Sequence, residues 1–207
     1  AMIPKASNGF GYIGYKSIKD NIIGTCCITS LYRGEKGILW VGTDNDGIYG
    51  LTPDNQLQVH YAPSETPNSV AAIIMTVHED SEGNLWYGSF IDGMGRIDTR
   101  NGNRIIHETL TDKEGRKIQR VYDFEEDSNK RLWIATQGSG LYYYDLKKKQ
   151  VFYDQSCNTG LNQWISCLHH SKTQNLLYIG TYGGLYTLDL NNFQVNHVLS
   201  RRIVLNI

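Results

Sequence analysis

The sequence predicts an all-β protein of the β-propeller class, with four consecutive four-stranded blades. The first observation is a four-fold repeat, in which an apolar–aromatic–apolar–small run leads through a Gly-rich turn to a Gly-apolar pair. Its aromatic positions, named here the anchors, lie 46, 47 and 45 positions apart at Trp40, Trp86, Trp133 and Tyr178. The second observation is the composition: the 207 residues include 14 tyrosines, 4 tryptophans and 21 glycines. This content indicates many short strands joined by tight turns. A period in the forties with short, Gly-punctuated strands is typical of propeller blades.

Each repeat predicts four antiparallel strands, called A to D in chain order. Strand A precedes the anchor and is predicted at 25–31, 73–78, 121–125 and 165–169. Strand B contains the anchor, and a hairpin joins it to strand C. Positive φ in these hairpins is expected at Gly47, Gly93, Gly140 and Gly184. Strand D, whose polar–apolar alternation suits an outer strand with one wet face, is predicted at 56–61, 104–107, 150–153 and 193–198.

These strands place the blades at about 20–62, 70–108, 118–154 and 163–198, within a single domain that covers 1–207. Segment 11–16 occupies the position of a D strand before the first blade, so we expect an orphan outer strand there. Segment 201–207 is a candidate for the next strand. Four blades with such remainders indicate an arc of a larger ring, and the chain is expected to be a piece of a longer protein.

Charge and composition exclude several classes of function. The formal net charge is −1, from 20 basic and 21 acidic side chains, which predicts no nucleic-acid surface and no membrane contact. No apolar run approaches the roughly 18 residues of a membrane span. The four cysteines form no Cys-x-x-Cys pair and are interpreted as buried apolar residues, with a disulfide as the alternative.

The sequence predicts no catalytic residues, no metal site and no cofactor. Its six histidines have no metal-ligand spacing, and no nucleophile elbow, P-loop or dinucleotide fingerprint is present. Segment 80–86 resembles the aspartate box of sialidase propellers, but in a shifted register. We therefore interpret it as a solvated turn between strands A and B. The periodic anchors are interpreted as core packing between blades, not as an aromatic ligand site.

Candidate ligand-binding residues lie in the loops between strands B and C and in those between D and A. The B–C loops differ between repeats while their flanks are constant, so packing does not dictate them. The candidates are Asp44, Asp46, Phe90, Asp92, Gln137, Asn162, Trp164 and Tyr182. Aromatic rings stack on the apolar faces of sugars, and carboxylates and amides bind hydroxyls. Ordinary turn chemistry is the alternative, since Asp, Asn and Gly are common in any hairpin.

The repeat resembles that of the two-component regulator propeller family, and segment 132–145 carries the likeness most fully, after an acidic turn at 126–130. Two copies depart from the pattern, with Gly95-Arg96 in place of Tyr and Tyr178 in place of Trp. The resemblance implies a segment of a seven-bladed propeller in the periplasmic sensor region of a hybrid histidine kinase anchored in the inner membrane. It further implies an oligosaccharide ligand, with other propeller and β-sandwich modules as neighbours.

We therefore expect a non-catalytic, ligand-sensing propeller segment whose kinase lies outside this chain. The open edges of an arc also favour a homodimer. Two alternatives remain. One is a propeller lyase that acts on a polysaccharide or an antibiotic, which would need a histidine base beside an acid or a metal. The other is a protein-interaction scaffold without a ligand.

Overall fold

The computed structural model describes residues 23, 26–66, 68–111, 114–200 and 203–204. This part of the chain forms four four-stranded antiparallel sheets, each made of four consecutive strands in chain order. The predicted all-β propeller class is confirmed. The predicted orphan strand at 11–16 lies outside the described residues, and the number of blades in the ring stays a prediction.

The first sheet contains β1 (Ile28–Arg33), β2 (Leu39–Thr43), β3 (Ile48–Leu51) and β4 (Leu57–Tyr61). The second contains β5 (Ile74–Glu79), β6 (Asn84–Ser89), β7 (Met94–Asp98) and β8 (Arg104–Glu108). The third contains β9 (Val121–Glu126), β10 (Arg131–Thr136), β11 (Gly140–Asp145) and β12 (Gln150–Phe152). The short helix α1 (Gln155–Asn158) precedes the fourth sheet. That sheet contains β13 (Ile165–Ser171), β14 (Leu176–Thr181), β15 (Gly184–Asp189) and β16 (Val195–Ser200).

The strand bounds follow the repeat closely, with one informative difference in the fourth sheet. Its D strand was expected from residue 193, but β16 begins at Val195. Phe193 has a φ of 60°, and its backbone N–H donates to the carbonyl of Asp189, so the residue lies in a turn. All four hairpin glycines have positive φ, from 71° at Gly47 to 135° at Gly184, as the hairpins require.

Successive sheets pack face to face, and the hydrophobic core consists of the layers between them. Each tryptophan anchor faces the sheet that follows it along the chain. Trp86 lies 4.8 Å from the ring of Tyr144, and Trp133 meets the ring of Phe193 edge-on at 6.0 Å. Both tryptophans are fully buried. The interpretation of the tryptophan anchors as core residues is confirmed.

The fourth anchor, Tyr178, is only half-buried, so the expectation of a buried core residue is wrong at this position. Its hydroxyl donates to Oε1 of the exposed Gln174 at 2.8 Å. The physical reason is its place in the last of the four described sheets. No further described sheet covers the face on which this ring lies.

The A–B turns of the second and third sheets hold buried carboxylates, so the interpretation of segment 80–86 as a solvated turn is wrong. Asp80 accepts the indole N–H of Trp86 at 2.7 Å and the backbone N–H of Asn84 at 2.8 Å. Asp127 accepts the indole N–H of Trp133 at 2.9 Å. A buried carboxylate requires such donors to remain charged. The aspartate of the turn therefore accepts hydrogen bonds from the turn backbone and from the buried indole of the anchor.

The first sheet has Gly34 at the position of this aspartate, and its carboxylate comes from the next sheet. Oε2 of Glu79 lies 3.2 Å from the indole nitrogen of Trp40. A Cβ on Gly34 would lie 1.9 Å from that oxygen. The space left by the glycine is therefore the space that Glu79 fills.

The second repeat, which has Gly95 in place of the usual tyrosine, compensates within its own sheet. Tyr87 on the neighbouring strand fills the vacated volume, since a Cβ on Gly95 would lie 2.4 Å from its hydroxyl. The Tyr87 hydroxyl is 3.3 Å from Nδ1 of His107. The departure from the family pattern thus leaves the sheet filled.

All four cysteines are free thiols. Cys157 and Cys167 are buried, and desolvation raises the pKa of these thiols to about 12 and about 11. Their interpretation as apolar filling is confirmed. It is wrong for Cys27, which is exposed and lies beside Asp44, whose negative charge raises the pKa of the thiol.

Candidate ligand-binding face

The B–C loops are tied to the segments that precede the A strands, and together they form one surface, named here the loop face. The backbone N–H of Gln137 donates to the carbonyl of Arg120 at 3.1 Å. Tyr182 donates in the same way to Trp164, also at 3.1 Å. In the third and fourth sheets the loop face therefore holds a residue of the B–C loop beside a residue of the segment before strand A.

Three of the candidate residues meet between the third and fourth sheets. Nε2 of Gln137 donates to the hydroxyl of Tyr182 at 3.2 Å. The rings of Trp164 and Tyr182 lie 6.0 Å apart at an angle of 30°. Gln137 is 9% exposed, whereas Trp164 and Tyr182 are 42% and 44% exposed. The amide is thus held by the Tyr182 hydroxyl, while both rings remain open to solvent.

A fourth candidate, Asn162, supports this arrangement from the segment before β13. Its Oδ1 accepts the backbone N–H of Trp164 at 2.9 Å. Its amide also covers Gly183, where a Cβ would lie 2.6 Å from Nδ2. Asn162 therefore orients the loop that carries Trp164.

The surface continues toward the second sheet through residues that the sequence did not single out, apart from Phe90. The guanidinium carbon of Arg120 lies 5.3 Å from the centre of the Phe90 ring. Phe90 and Tyr122 meet edge-on at 6.4 Å. Desolvation raises the pKa of Tyr122, the neighbouring Tyr182 raises it further, and Arg120 opposes this shift. We name the joined set the aromatic cluster: Phe90, Arg120, Tyr122, Gln137, Trp164 and Tyr182.

Asp92 lies apart from the aromatic cluster. Its backbone N–H donates to the hydroxyl of Ser89 at 3.2 Å, and it lines a separate groove of about 600 Å³ between the second sheet and the loop at 63–72 that precedes it. Met94, His107 and Lys117 line the same groove. Asp92 is therefore not placed to contact a ligand that stacks on Trp164.

Asp44 and Asp46 hold the first sheet's own loop. Oδ1 of Asp44 accepts the backbone N–H of Cys27 at 2.8 Å. Asp46 accepts the hydroxyl of Tyr49, and Nε2 of His60 lies 3.5 Å from its Oδ1. The rings of Tyr49 and His60 stack at 3.9 Å. Neither residue contacts the aromatic cluster.

The chemistry of the aromatic cluster is that of stacking and hydrogen bonding. Its side chains offer aromatic faces, an amide, hydroxyls and one guanidinium. Within 26–66, 68–111 and 114–200, no group of three His, Cys, Asp or Glu side chains is placed to hold a metal ion. In the described part of the chain, no helix has the length and apolar character that crossing a membrane requires.

Residues 22–45 and 115–138 match the family described as two component regulator propeller. The second of these segments contains β9 and β10 and ends in the B–C loop beside Gln137. These two segments, in the first and third repeats, therefore match the family that the repeat resembles.

A curated relative is histidine kinase P4 of Formosa agariphila, which is 33% identical over 73 residues. That stretch is 33% of this chain and 5% of the kinase. The fold is similar to the extracellular domains of two putative hybrid two-component systems from B. thetaiotaomicron, with TM-scores of 0.70 and 0.66 and 20% identity each. The likeness covers 84% and 83% of this chain but only 25% and 24% of those chains.

The fold is also similar to a catalytically inactive virginiamycin B lyase from Staphylococcus aureus, solved with quinupristin. The TM-score is 0.61 at 14% identity, over 82% of this chain and 54% of the lyase. At these identities the structural likenesses establish the fold alone. The chain spans about a quarter of the length of the extracellular domains that it resembles.

Proposed function

We propose that this chain is a ligand-sensing propeller segment of a two-component sensor, that it performs no chemistry, and that the aromatic cluster is its binding surface. The ligand class is an oligosaccharide. The observation that carries the proposal is the Trp164–Tyr182 pair, two large rings left open to solvent, one of which is hydrogen-bonded to the buried amide of Gln137. The three tryptophan anchors, in contrast, face neighbouring sheets.

The geometry of the pair suits a sugar ring. The two rings lie 6.0 Å apart at 30°, and each has an exposed face against which the apolar C–H face of a pyranose can stack. The Tyr182 hydroxyl, held by the amide of Gln137, is then the group that binds a sugar hydroxyl. Because Gln137 holds the Tyr182 hydroxyl and Asn162 holds the backbone of Trp164, less ordering is needed when a ligand binds.

We place the segment in the periplasm, within a parent protein anchored in the inner membrane. The support is the likeness to extracellular domains of two-component systems. Because those domains are about four times longer than the matched part, we propose that further propeller and β-sandwich modules adjoin this segment in the parent protein. A homodimer through the open sheet edges remains part of the proposal.

Titration calorimetry of the 207-residue chain against a panel of neutral plant and host oligosaccharides tests the binding surface. We expect at least one member of the panel to bind, and Trp164→Ala or Tyr182→Ala to weaken that binding by about tenfold or more, through loss of a stacking face. Leu57→Ala is the matched control, since Leu57 is exposed to a similar degree on β4 of the first sheet. Its affinity should equal that of the unchanged chain.

Binding that is unaffected by Trp164→Ala and Tyr182→Ala would contradict the assignment of this surface and favour the scaffold alternative. The lyase alternative rests on the fold likeness to virginiamycin B lyase. Mass analysis of the titrated oligosaccharides addresses it in the same experiment. Intact ligand is expected, and an unsaturated product, which a lyase releases, would contradict a purely sensing role.

A further inference from the structure

Arg120 differs from the other arginines near aromatic rings in having no carboxylate partner. Arg96 pairs with Glu108 at 2.9 Å, and Arg131 pairs with the buried Asp127 at 2.5 Å. The guanidinium of Arg120 lies on the face of Phe90, and within the described residues no carboxylate is within salt-bridge distance of it. The side chain is exposed, on the same surface as Trp164.

We propose that the aromatic cluster selects an anionic oligosaccharide, whose carboxylate or sulfate group binds to Arg120 while a sugar ring stacks on Trp164 and Tyr182. This inference rests on the proposed function and assigns the chemical class of the ligand. It adds a charged contact to a surface that would otherwise recognise neutral sugars.

The position of Arg120 favours this contact over a solvated surface charge. The guanidinium carbon of Arg120 lies over the Phe90 ring and the side chain is exposed, so its N–H groups can offer an anion the fork that matches the two oxygens of a carboxylate or sulfate. The Phe90 ring covers one side of the charge. A charge that is partly desolvated and unpaired interacts with an incoming anion more strongly than one in bulk water.

Neighbouring carboxylates do not neutralise this charge. Asp44 is bound to the backbone N–H of Cys27 on the first sheet, and Asp92 faces the separate groove. Asp123 lies on β9 beside Tyr122, and it accepts the backbone N–H of Leu168 on β13 at 2.8 Å. The positive charge at the surface of the aromatic cluster is therefore available to a ligand.

Carboxylate and sulfate share this chemistry, and matched probes distinguish them. The probes are tetragalacturonate with its methyl ester, and a sulfated galactan tetrasaccharide with its desulfated form. Calorimetry with the 207-residue chain should show one anionic probe binding about tenfold or more tightly than its neutral partner, because a charge-assisted bidentate contact is lost in the neutral form. The preferred pair identifies the group as a uronate or a sulfate ester.

Arg120→Gln should reduce the affinity for the anionic probe to that for its neutral partner and remove most of its dependence on salt. Arg120→Lys should retain the salt dependence but bind more weakly, because lysine lacks the fork. Arg104→Gln is the matched control, since Arg104 is exposed on the outer strand β8, and it should leave the affinity unchanged.

Equal affinity for charged and neutral partners, or an anionic preference that survives Arg120→Gln, overturns the inference. So does absence of binding by all four probes. The proposed function is decided separately, by the neutral panel and the Trp164→Ala variant. A chain that binds a neutral oligosaccharide through Trp164 but shows no anionic preference therefore retains the proposed function and loses this inference alone.

Discussion

At the scale of single residues, the orientation of a buried anchor is set by the polar turn beside it as well as by apolar packing. Trp133 donates its indole N–H to Asp127, whose other oxygen accepts the backbone N–H of Arg131 at 3.1 Å. The guanidinium of Arg131 lies 5.3 Å from the centre of the Trp133 ring. The carboxylate, the cation and the indole thus satisfy one another within a single turn and strand.

Trp133→Ala should lower the free energy of unfolding by about 3–5 kcal/mol, because it removes a fully buried ring and leaves a cavity between the third and fourth sheets. Urea denaturation measures the change. Trp164→Ala is the matched control, since it removes the same side chain from an exposed position, and it should cost less than about 1 kcal/mol. Equal stability of the two variants would show that Trp133 is not a packing residue.

The sequence predicted the burial of the tryptophan anchors because their period reflects a repeated packing environment. It could not predict that Tyr178 is half-buried, since burial of that ring depends on the sheet that follows. Nor could it predict that Glu79 serves Trp40, because this contact joins two sheets and the two residues are 39 positions apart.

At the scale of strands, the A strands of the four sheets (β1, β5, β9 and β13) lie side by side. They belong to different sheets and are joined in part through side chains. The hydroxyl of Thr76 on β5 donates to Oδ1 of Asp123 on β9 at 3.3 Å. Oδ2 of Asp123 accepts the backbone N–H of Leu168 on β13 at 2.8 Å. One carboxyl group thus connects three successive sheets.

The stability of this connection should depend on pH. Desolvation raises the pKa of Asp123 to about 7, against about 3.9 in an unfolded chain. The folded state therefore binds a proton more tightly, and the contribution of Asp123 to stability is largest at low pH and declines as the pH rises from about 4 to about 7.

Asp123→Asn cannot titrate and provides the comparison, since contributions from other groups cancel between the two proteins. Urea denaturation at about pH 5, 6, 7 and 8 should show the wild-type chain losing stability relative to the variant as the pH rises. A stability difference that is constant across this range would contradict the raised pKa.

Strand order and hairpins could be predicted from the alternation of apolar residues and the placement of glycine. The candidate site was predicted only in part. Gln137, Asn162, Trp164 and Tyr182 converge because they occupy loops of adjacent sheets, as the phasing of the strands implied. Arg120 was missed, although it occupies the repeat position of Trp164 immediately before an A strand, a correspondence that the spacing of the repeats could have revealed.

At the scale of the whole molecule, the described sheets pack in a row, and each sheet buries one face of the next. Such an arrangement stabilises a repeat protein through contacts between adjacent units. The outward faces of the first and last sheets include Leu31, 64% exposed, and Leu199, 53% exposed. The loop face lies across this row, so a ligand bound at the aromatic cluster contacts more than one sheet at once.

The central claim, that ligand binds at the aromatic cluster, is tested most directly by ¹⁵N-indole NMR of the four tryptophans during an oligosaccharide titration. The indole N–H groups of Trp40, Trp86 and Trp133 each donate to a carboxylate, whereas the Trp164 side chain is exposed on the loop face. We predict that the Trp164 signal, assigned by its loss in Trp164→Ala, shifts with ligand concentration while the other three remain in place. A titration that shifts anchor signals and leaves Trp164 unchanged would contradict the account.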